Sequence, residues 1–255
     1  MKAKLSNQVK KMLHSIGLDI IKYRSPEQVC FPPDFDLQTQ EIIQKVRAFT
    51  QTSPERLFAL CEATRYIVKH QIPGEIVECG VWKGGSMMAV AHTLLALNHT
   101  RHLYLFDTFE GMTNPSEADV AITGSTATEL LQQSRKEDSN SVWCYASLTE
   151  VETAFAAIEY DPSKIHFIKG RVEETIPTNA PEKIALLRLD TDWYESTRHE
   201  LIHLFPRLSP GGVIIIDDYG HWQGARKAVD EYFDEHQIKI LLNRIDYTGR
   251  IGVVV

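Results

Sequence analysis

Several things are scarce in this chain of 255 residues. Positive charge is not in excess: 27 Lys and Arg stand against 34 Asp and Glu, a formal net charge of -7. That balance argues against nonspecific binding to nucleic acid or to an anionic membrane surface. No apolar run approaches the roughly 20 residues of a bilayer span. The opening MKAKLSNQVKKMLHSIGLDI is basic, but polar residues interrupt its apolar ones, so it has no signal-peptide core. The expected location is cytoplasmic. Only four cysteines occur (Cys30, Cys61, Cys79 and Cys144), without a CxxC pair or metal-ligand spacing. Reduced thiols are therefore expected. There is no internal repeat and no low-complexity tract. Hydrophobic content of 43% and charged content of 24% leave an ordinary soluble globular protein.

Residues 1–50 are the least regular part and read as a helical N-terminal arm. RSPEQVCFPPDF (24–35) carries three prolines and reads as a loop between two helical pieces. The arm suits a lid or a dimer contact, and the sequence leaves both open. From residue 51 onward the pattern is regular. Ser53 fits an N-cap and Pro54 the first turn of a helix running through TSPERLFALCEATRYIVKH, which IPG ends. Strands are then predicted at EIVECG (75–80), HLYLFD (102–107), KIHFIKG (164–170), KIALLRLD (183–190) and GGVIIID (211–217). Helices are predicted at 85–97, after Ser147 or Thr149, from the end of LDTD to about Leu208, and over QGARKAVDEYFDEHQ. TFEGMTNPSEADVAITGST is a long polar stretch. IKILLNRI and RIGVVV, joined at Tyr247-Thr248-Gly249, form an expected hairpin. Strands that are nearly continuous apolar runs, alternating with helices, mean a doubly wound α/β fold with a mostly parallel sheet and an antiparallel C-terminal edge. Such sheets bind ligands at the carboxyl ends of their strands.

VECGVWKGGS follows the first strand and opens a helix. Gly80 permits a tight turn, and Gly84 and Gly85 let a ligand approach the backbone. The glycines fall at positions one, five and six, not in the one, three, six spacing of the dinucleotide fingerprint. Glu78 precedes the turn. Asp107 ends the second strand, where a carboxylate can accept hydrogen bonds from a ribose diol. The helix start near Ser86 favours a negative group. Ribose and carboxylate without pyrophosphate fit S-adenosylmethionine better than NAD. Thr108 and Phe109, with Glu110 and Met112, are placed along that cofactor pocket.

Two strands end in acids. LLRLDTDW ends in Asp190 and Asp192, and GGVIIIDDYGHW in Asp217 and Asp218. Strand-end aspartates often cap helices, as Asp192 would for a helix beginning near Tyr194. Four carboxylates crowded at two strand ends repel one another unless something positive lies between them. A set without imidazole or thiol suits a hard cation such as Mg²⁺ or Ca²⁺.

The combination VECGVWKGGS, LYLFDTFEGM, LLRLDTDWYEST and GGVIIIDDYGHWQGARKAVDEYF, over about residue 45 to the end, closely resembles the macrocin/mycinamicin-type O-methyltransferases. The resemblance implies S-adenosylmethionine and Mg²⁺ as cofactors and a sugar hydroxyl of a small glycoside as acceptor. It implies Asp190, Asp217 and Asp218 as metal ligands and Asp192 as the base. Read from its position just after DDYG, His221 is the competing base, or equally a surface histidine beside Trp222. The resemblance brings Thr52 and Ser53, in TSPER, towards the cofactor, and carries the expectation of a homodimer. A catechol, with its own pair of adjacent oxygens, is the alternative acceptor, and an NAD-dependent oxidoreductase the alternative enzyme.

HELIH (199–203) matches the HExxH zinc motif. It falls inside a predicted crossover helix and lacks a third downstream ligand, so it reads as packing. Trp82 and Trp193 flank the two site motifs and read as wall or packing residues. Arg65, Arg188 and Arg250 are free to pair with acids, and Glu173 lies where an adenine would.

Overall fold

The computed structural model describes residues 9, 12–15, 17, 31–138 and 141–255. The chain divides into two compact units, Met1–Asp34 and Phe35–Val255. In the first, residues 12–14 are helical and Ser15 Oγ donates to the Met12 carbonyl. Most of the rest of the arm before Phe31, with Cys30 and much of the expected loop at 24–35, lies outside the described residues.

The second unit begins with helix α1 (Leu37–Val46), capped by Asp36, whose carboxylate accepts from Thr39 N–H. Helix α2 (Pro54–Lys69) starts as the sequence predicts: Ser53 Oγ accepts from Arg56 N–H, and Pro54 occupies a position whose N–H would have no intrahelical partner. Then follow β1 (Glu75–Cys79), α3 (Gly85–Ala96), β2 (Leu103–Asp107), α4 (Ala127–Gln133), α5 (Leu148–Ala156), β3 (Ile165–Lys169), α6 (Val172–Thr175), β4 (Ile184–Leu189), α7 (Tyr194–Leu204), β5 (Leu208–Ile216), α8 (Gln223–Glu235), β6 (Asn243–Arg244) and β7 (Arg250–Val253).

Among the described residues the strands form one seven-stranded sheet in the order β3-β2-β1-β4-β5-β7-β6. The first five are parallel, and β7 runs antiparallel to both β5 and β6. This is the doubly wound sheet with an antiparallel edge that the alternation of elements predicts. Strand order reverses between β1 and β4, so the crevice above their carboxyl ends is the topological switch point.

Both faces are covered. On one, Val77, Cys79, Leu187, Leu189, Ile214 and Ile216 pack with Leu201 and Leu204 of α7 and Val229 and Tyr232 of α8. On the other, α1, α2 and α3 supply fully buried Ile43, Leu57, Leu60, Met87 and Leu94. Burial of a strand residue such as Leu187 contributes roughly 1.5–3 kcal/mol. No helix among the described residues is long and apolar enough to cross a membrane.

Three local features differ from the sequence expectation. The helix after LDTD ends at Leu204, and a 3-10 turn, Phe205–Arg207, leads into β5. The expected strand over 238–245 shortens to β6, because Ile238, Ile240 and Leu242 are spent packing against the core. The long polar stretch leads into helix α4, opened by a full capping box. Thr126 Oγ1 accepts from Glu129 N–H, and Glu129 Oε2 accepts from Thr126 N–H. T-x-x-E at 126–129 is a signal that sequence reading can find.

Candidate active site

A cavity of about 370 Å³ opens above the switch point. At one end it is lined by Thr52, Gly80, Val81, Trp82, Ser86, Asp107 and Thr108, and at the other by Asp190, Asp192, Asp217, Asp218, His221 and Tyr247. The glycine turn and the two acidic strand ends therefore face a single space.

Strand pairing makes this so. Leu189 and Ile216 are register partners, and Asp217 N–H donates to the Leu189 carbonyl at 2.9 Å. On the other side Asp190 N–H donates to the Cys79 carbonyl at 2.8 Å, which seats Asp190 beside Gly80. A Cβ at Gly80 would run into the Asp190 carbonyl, and Gly80 has φ +82°. Glycine is required there by both contact and conformation.

The cofactor candidates divide into two groups. Thr52, Gly80, Ser86, Asp107 and Thr108 line the cavity; Ser53, Glu78, Gly84 and Phe109 stand behind that wall. Ser53 caps α2 and donates to Asp246 at 2.7 Å. Gly84 is the left-handed N-cap of α3. Asp107 ties two loops together: Oδ2 accepts from Val81 and Trp82 N–H at 2.7 and 2.9 Å, and Oδ1 from Phe109 N–H at 2.7 Å. These bonds hold Trp82 (φ +48°) and Phe109 (φ +51°) in the left-handed region, where non-glycine residues are uncommon. Burial pushes the Asp107 carboxyl up, against the pull of those amides.

At the acidic end, carboxylate oxygens of Asp190, Asp192 and Asp218 lie within 4.8 Å of one another. Among the described residues this is the group arranged to hold a metal ion, and the histidines of HELIH do not form one. His199 Nε2 instead lies 3.1 Å from the Ile176 carbonyl. Burial, with crowding by neighbouring aspartates, drives the Asp190 and Asp218 carboxyls well above the carboxylate range. Burial with the charges of Asp190 and Asp217 lifts Asp192 to about 7. Asp218 Oδ2 is buried without a hydrogen-bond partner. Asp192 itself has φ +68°, a strained conformation of the kind that gathers at functional sites.

Asp217 stands apart from that trio. It is 3% exposed, forms an ion pair with Arg56, and its Oδ1 lies 2.7 Å from Arg188 Nη2. Arg188, 2% exposed, also reaches Asp190 Oδ2 at 2.6 Å, Glu78 Oε1 at 2.7 Å and Thr52 Oγ1 at 3.0 Å. Burial opposes its charge, but Asp190, Asp217 and Glu78 outweigh that and hold the guanidinium protonated. Glu78, fully enclosed, is pushed up by burial to about 7 despite Arg188. The sequence signal of this network is the arginine set inside the apolar run LLRLD; which acids it pairs with depends on strand order.

His221 lines the cavity, with Nδ1 3.3 Å from Tyr247 Oη and its ring edge-on to Trp222. Burial and the nearby Arg56 lower its pKa, favouring the neutral ring. Glu173 also lines the cavity, with Arg171 Nε 3.4 Å away.

A family model described as macrocin O-methyltransferase (TylF) matches residues 14–251. Over 203 residues, 79% of this chain, the sequence is 33% identical to the 8-demethyl-8-(2,3-dimethoxy-alpha-L-rhamnosyl)-tetracenomycin-C 4'-O-methyltransferase of Streptomyces olivaceus, covering 74% of that protein. It is 31% identical, again over 79% of the chain, to the mycinamicin III 3''-O-methyltransferase of Micromonospora griseorubida, covering 77% of it. Among solved structures the fold matches the O-methyltransferase NovP with a TM-score of 0.70 and 28% identity, over 85% of this chain and 88% of that one. The chain belongs to the macrocin O-methyltransferase family and is an O-methyltransferase.

Proposed function

We propose, from the premise of that family membership, that the chain transfers a methyl group from S-adenosylmethionine to a sugar hydroxyl of a small glycosylated natural product, with Mg²⁺ at the acidic cluster. The observation that carries this reading is the convergence of Asp190, Asp192 and Asp218 within 4.8 Å, in the same cavity as the glycine turn. Three oxygen donors without nitrogen or sulfur fit a hard cation, and the unpartnered buried Asp218 Oδ2 fits it too.

In this reading Asp190 and Asp218 would hold the cation, with Asp192 beside them in the same cluster as the proton acceptor. Asp217, which the family resemblance puts among the ligands, is held by Arg56 and Arg188 and fixes the loop behind them. Thr52, Gly80, Ser86, Asp107 and Thr108 face the cofactor, and Glu78 supports them through Arg188. When bound, the donor would supply an electrophilic methyl on a sulfonium, and the cation would supply positive charge that makes the acceptor hydroxyl more acidic. Asp192 accepts the hydroxyl proton, with His221, neutral and facing the cavity, as the competing base. The carboxylates and Trp222 orient the acceptor, and orientation supplies much of the rate.

The test has two parts. Titration calorimetry with S-adenosylhomocysteine, with NADH and with Mg²⁺ should show binding of the first and third only; binding of NADH in place of S-adenosylhomocysteine defeats the cofactor assignment. A methyl-transfer assay offering a rhamnoside and a catechol, with and without EDTA, should methylate the rhamnoside and stop with EDTA. Turnover of the catechol alone moves the acceptor class, and full activity in EDTA removes the cation. Homodimerisation and a cytoplasmic location belong to the same reading; sedimentation velocity checks the first.

A further inference from the structure

Asp119 lies in the polar segment that precedes α4 and has no role in the site described above. It is 1% exposed, and its partners span three parts of the chain. Oδ1 accepts from Tyr194 N–H at 2.7 Å, capping the start of α7 two residues after Asp192. Oδ2 accepts from Ser116 N–H at 2.7 Å and Ser116 Oγ at 2.9 Å. A side chain on Gly224, in the first turn of α8, would collide with Oδ1. One carboxylate is thus wedged between the helix that follows Asp190 and Asp192 and the helix that follows Asp217 and Asp218.

The surrounding main chain ties the same two loops. Ile122 N–H donates to the His221 carbonyl at 2.7 Å, and Gln223 N–H to the Val120 carbonyl at 2.9 Å. Trp193 Nε1 donates to the Thr113 carbonyl at 3.1 Å. Trp193 and Trp222 meet edge to face at 4.9 Å, over Ala121, Ala127 and Leu131. The segment is a clamp across the two acidic loops, and Asp119 is its buried polar group, bonded to the start of α7 and lying close against Gly224 at the start of α8.

Capping has a second consequence. Asp192 is placed by sequence to cap α7, as strand-end aspartates commonly do. Here the residue preceding α7 is Trp193, with no side-chain cap, and the Tyr194 N–H is taken by Asp119 instead. Asp192 is left in its left-handed conformation, turned towards Asp190 and Asp218.

We propose that Asp119 is the positioning residue that sets the spacing between the two acidic loops, releasing Asp192 from helix capping to face the cavity. The proposal rests on the cation reading given above. Removal of Asp119 lets Asp192 fall back onto the α7 N-terminus and lets the Asp190 and Asp218 loops drift apart.

The experiment compares wild type, Asp119→Ala, Asp119→Asn and Gly224→Ala, each checked for folding by circular dichroism. Two affinities are measured by calorimetry: Mn²⁺ as the metal probe and S-adenosylhomocysteine as the cofactor probe. Asp119→Ala should weaken Mn²⁺ by about 10–100-fold, the scale of outer-shell changes at metal sites, and leave S-adenosylhomocysteine unchanged. Asp119→Asn, which keeps an oxygen for Tyr194 N–H, should recover much of the loss. Gly224→Ala should reproduce it from the other side, and it carries the test if Asp119→Ala does not fold. Wild-type Mn²⁺ affinity in folded Asp119→Ala or Gly224→Ala overturns the proposal. If wild type itself takes up no Mn²⁺, the cation reading fails. Positioning is then judged by kcat, which should fall in Asp119→Ala with KM for S-adenosylmethionine unchanged; equal loss in both overturns it.

Discussion

Glu78 and Arg188 are register partners on the neighbouring strands β1 and β4, and Arg188 Nη1 lies 2.7 Å from Glu78 Oε1 in the interior of the sheet. The same guanidinium holds Asp190 and Asp217, so one buried cation joins the floor of the glycine turn to both acidic strand ends. Breaking a buried ion pair leaves an uncompensated charge, typically at a cost of about 3–5 kcal/mol. Arg188→Met should destabilise the fold on that scale in urea denaturation. Arg188→Lys, which keeps the charge but not the planar fork, should lose less. Wild-type stability in Arg188→Met would mean that the carboxylates around it do not depend on the guanidinium for compensation.

Asp192 faces the cavity from a strained backbone and is lifted to about 7 by burial and its acidic neighbours. Asp192→Asn removes the proton acceptor. It should lower kcat by about 10²–10⁴-fold, the usual worth of general base catalysis, with KM for S-adenosylmethionine unchanged. If His221→Ala produces that loss and Asp192→Asn does not, the base is His221.

Gly80 has a left-handed backbone and no room for a side chain against the Asp190 carbonyl. Gly80→Ala should destabilise the protein by more than about 1 kcal/mol, because strain and collision add. Loss of binding should extend to both S-adenosylhomocysteine and Mn²⁺, since the collision displaces the cofactor loop and Asp190 together. Retention of either affinity in calorimetry would show that the two ends of the cavity move independently.

Glu200 is the acid of HELIH, fully buried on α7, with Oε1 accepting from Thr191 Oγ1 at 2.9 Å and Oε2 unpartnered. Burial drives its carboxyl well above the usual range. The folded pKa is raised, so its contribution to stability is fully present below the unfolded value, about 4.3. That contribution is lost as pH rises towards the folded value. Glu200→Gln removes this dependence. The stability difference between variant and wild type, from urea melts at pH 5 and pH 8, should shift in the variant's favour at pH 8. A difference that does not change with pH would mean that Glu200 titrates normally.

Much of this was legible in the chain itself. Apolar runs such as IALLRL and VIII, short and bounded by turn residues, read as interior strands, and the helices between them favour parallel pairing. Ser53-Pro54 marked a helix start because its bonds are local. The four aspartates stood out because they interrupt apolar runs. Those features depend on neighbours within a few residues, and the sequence determined them unaided. Which acids converge, and which are neutralised, depends on strand order and register. Arg188 pairs across β1 and β5, Asp217 is claimed by Arg56 from α2, and Asp119 reaches Tyr194 from 75 residues away. Partnerships between groups so distant along the chain are fixed only when the sheet closes and burial forces each charge to find a counterpart. For that reason the tertiary structure alone decided that Asp190, Asp192 and Asp218 share one space.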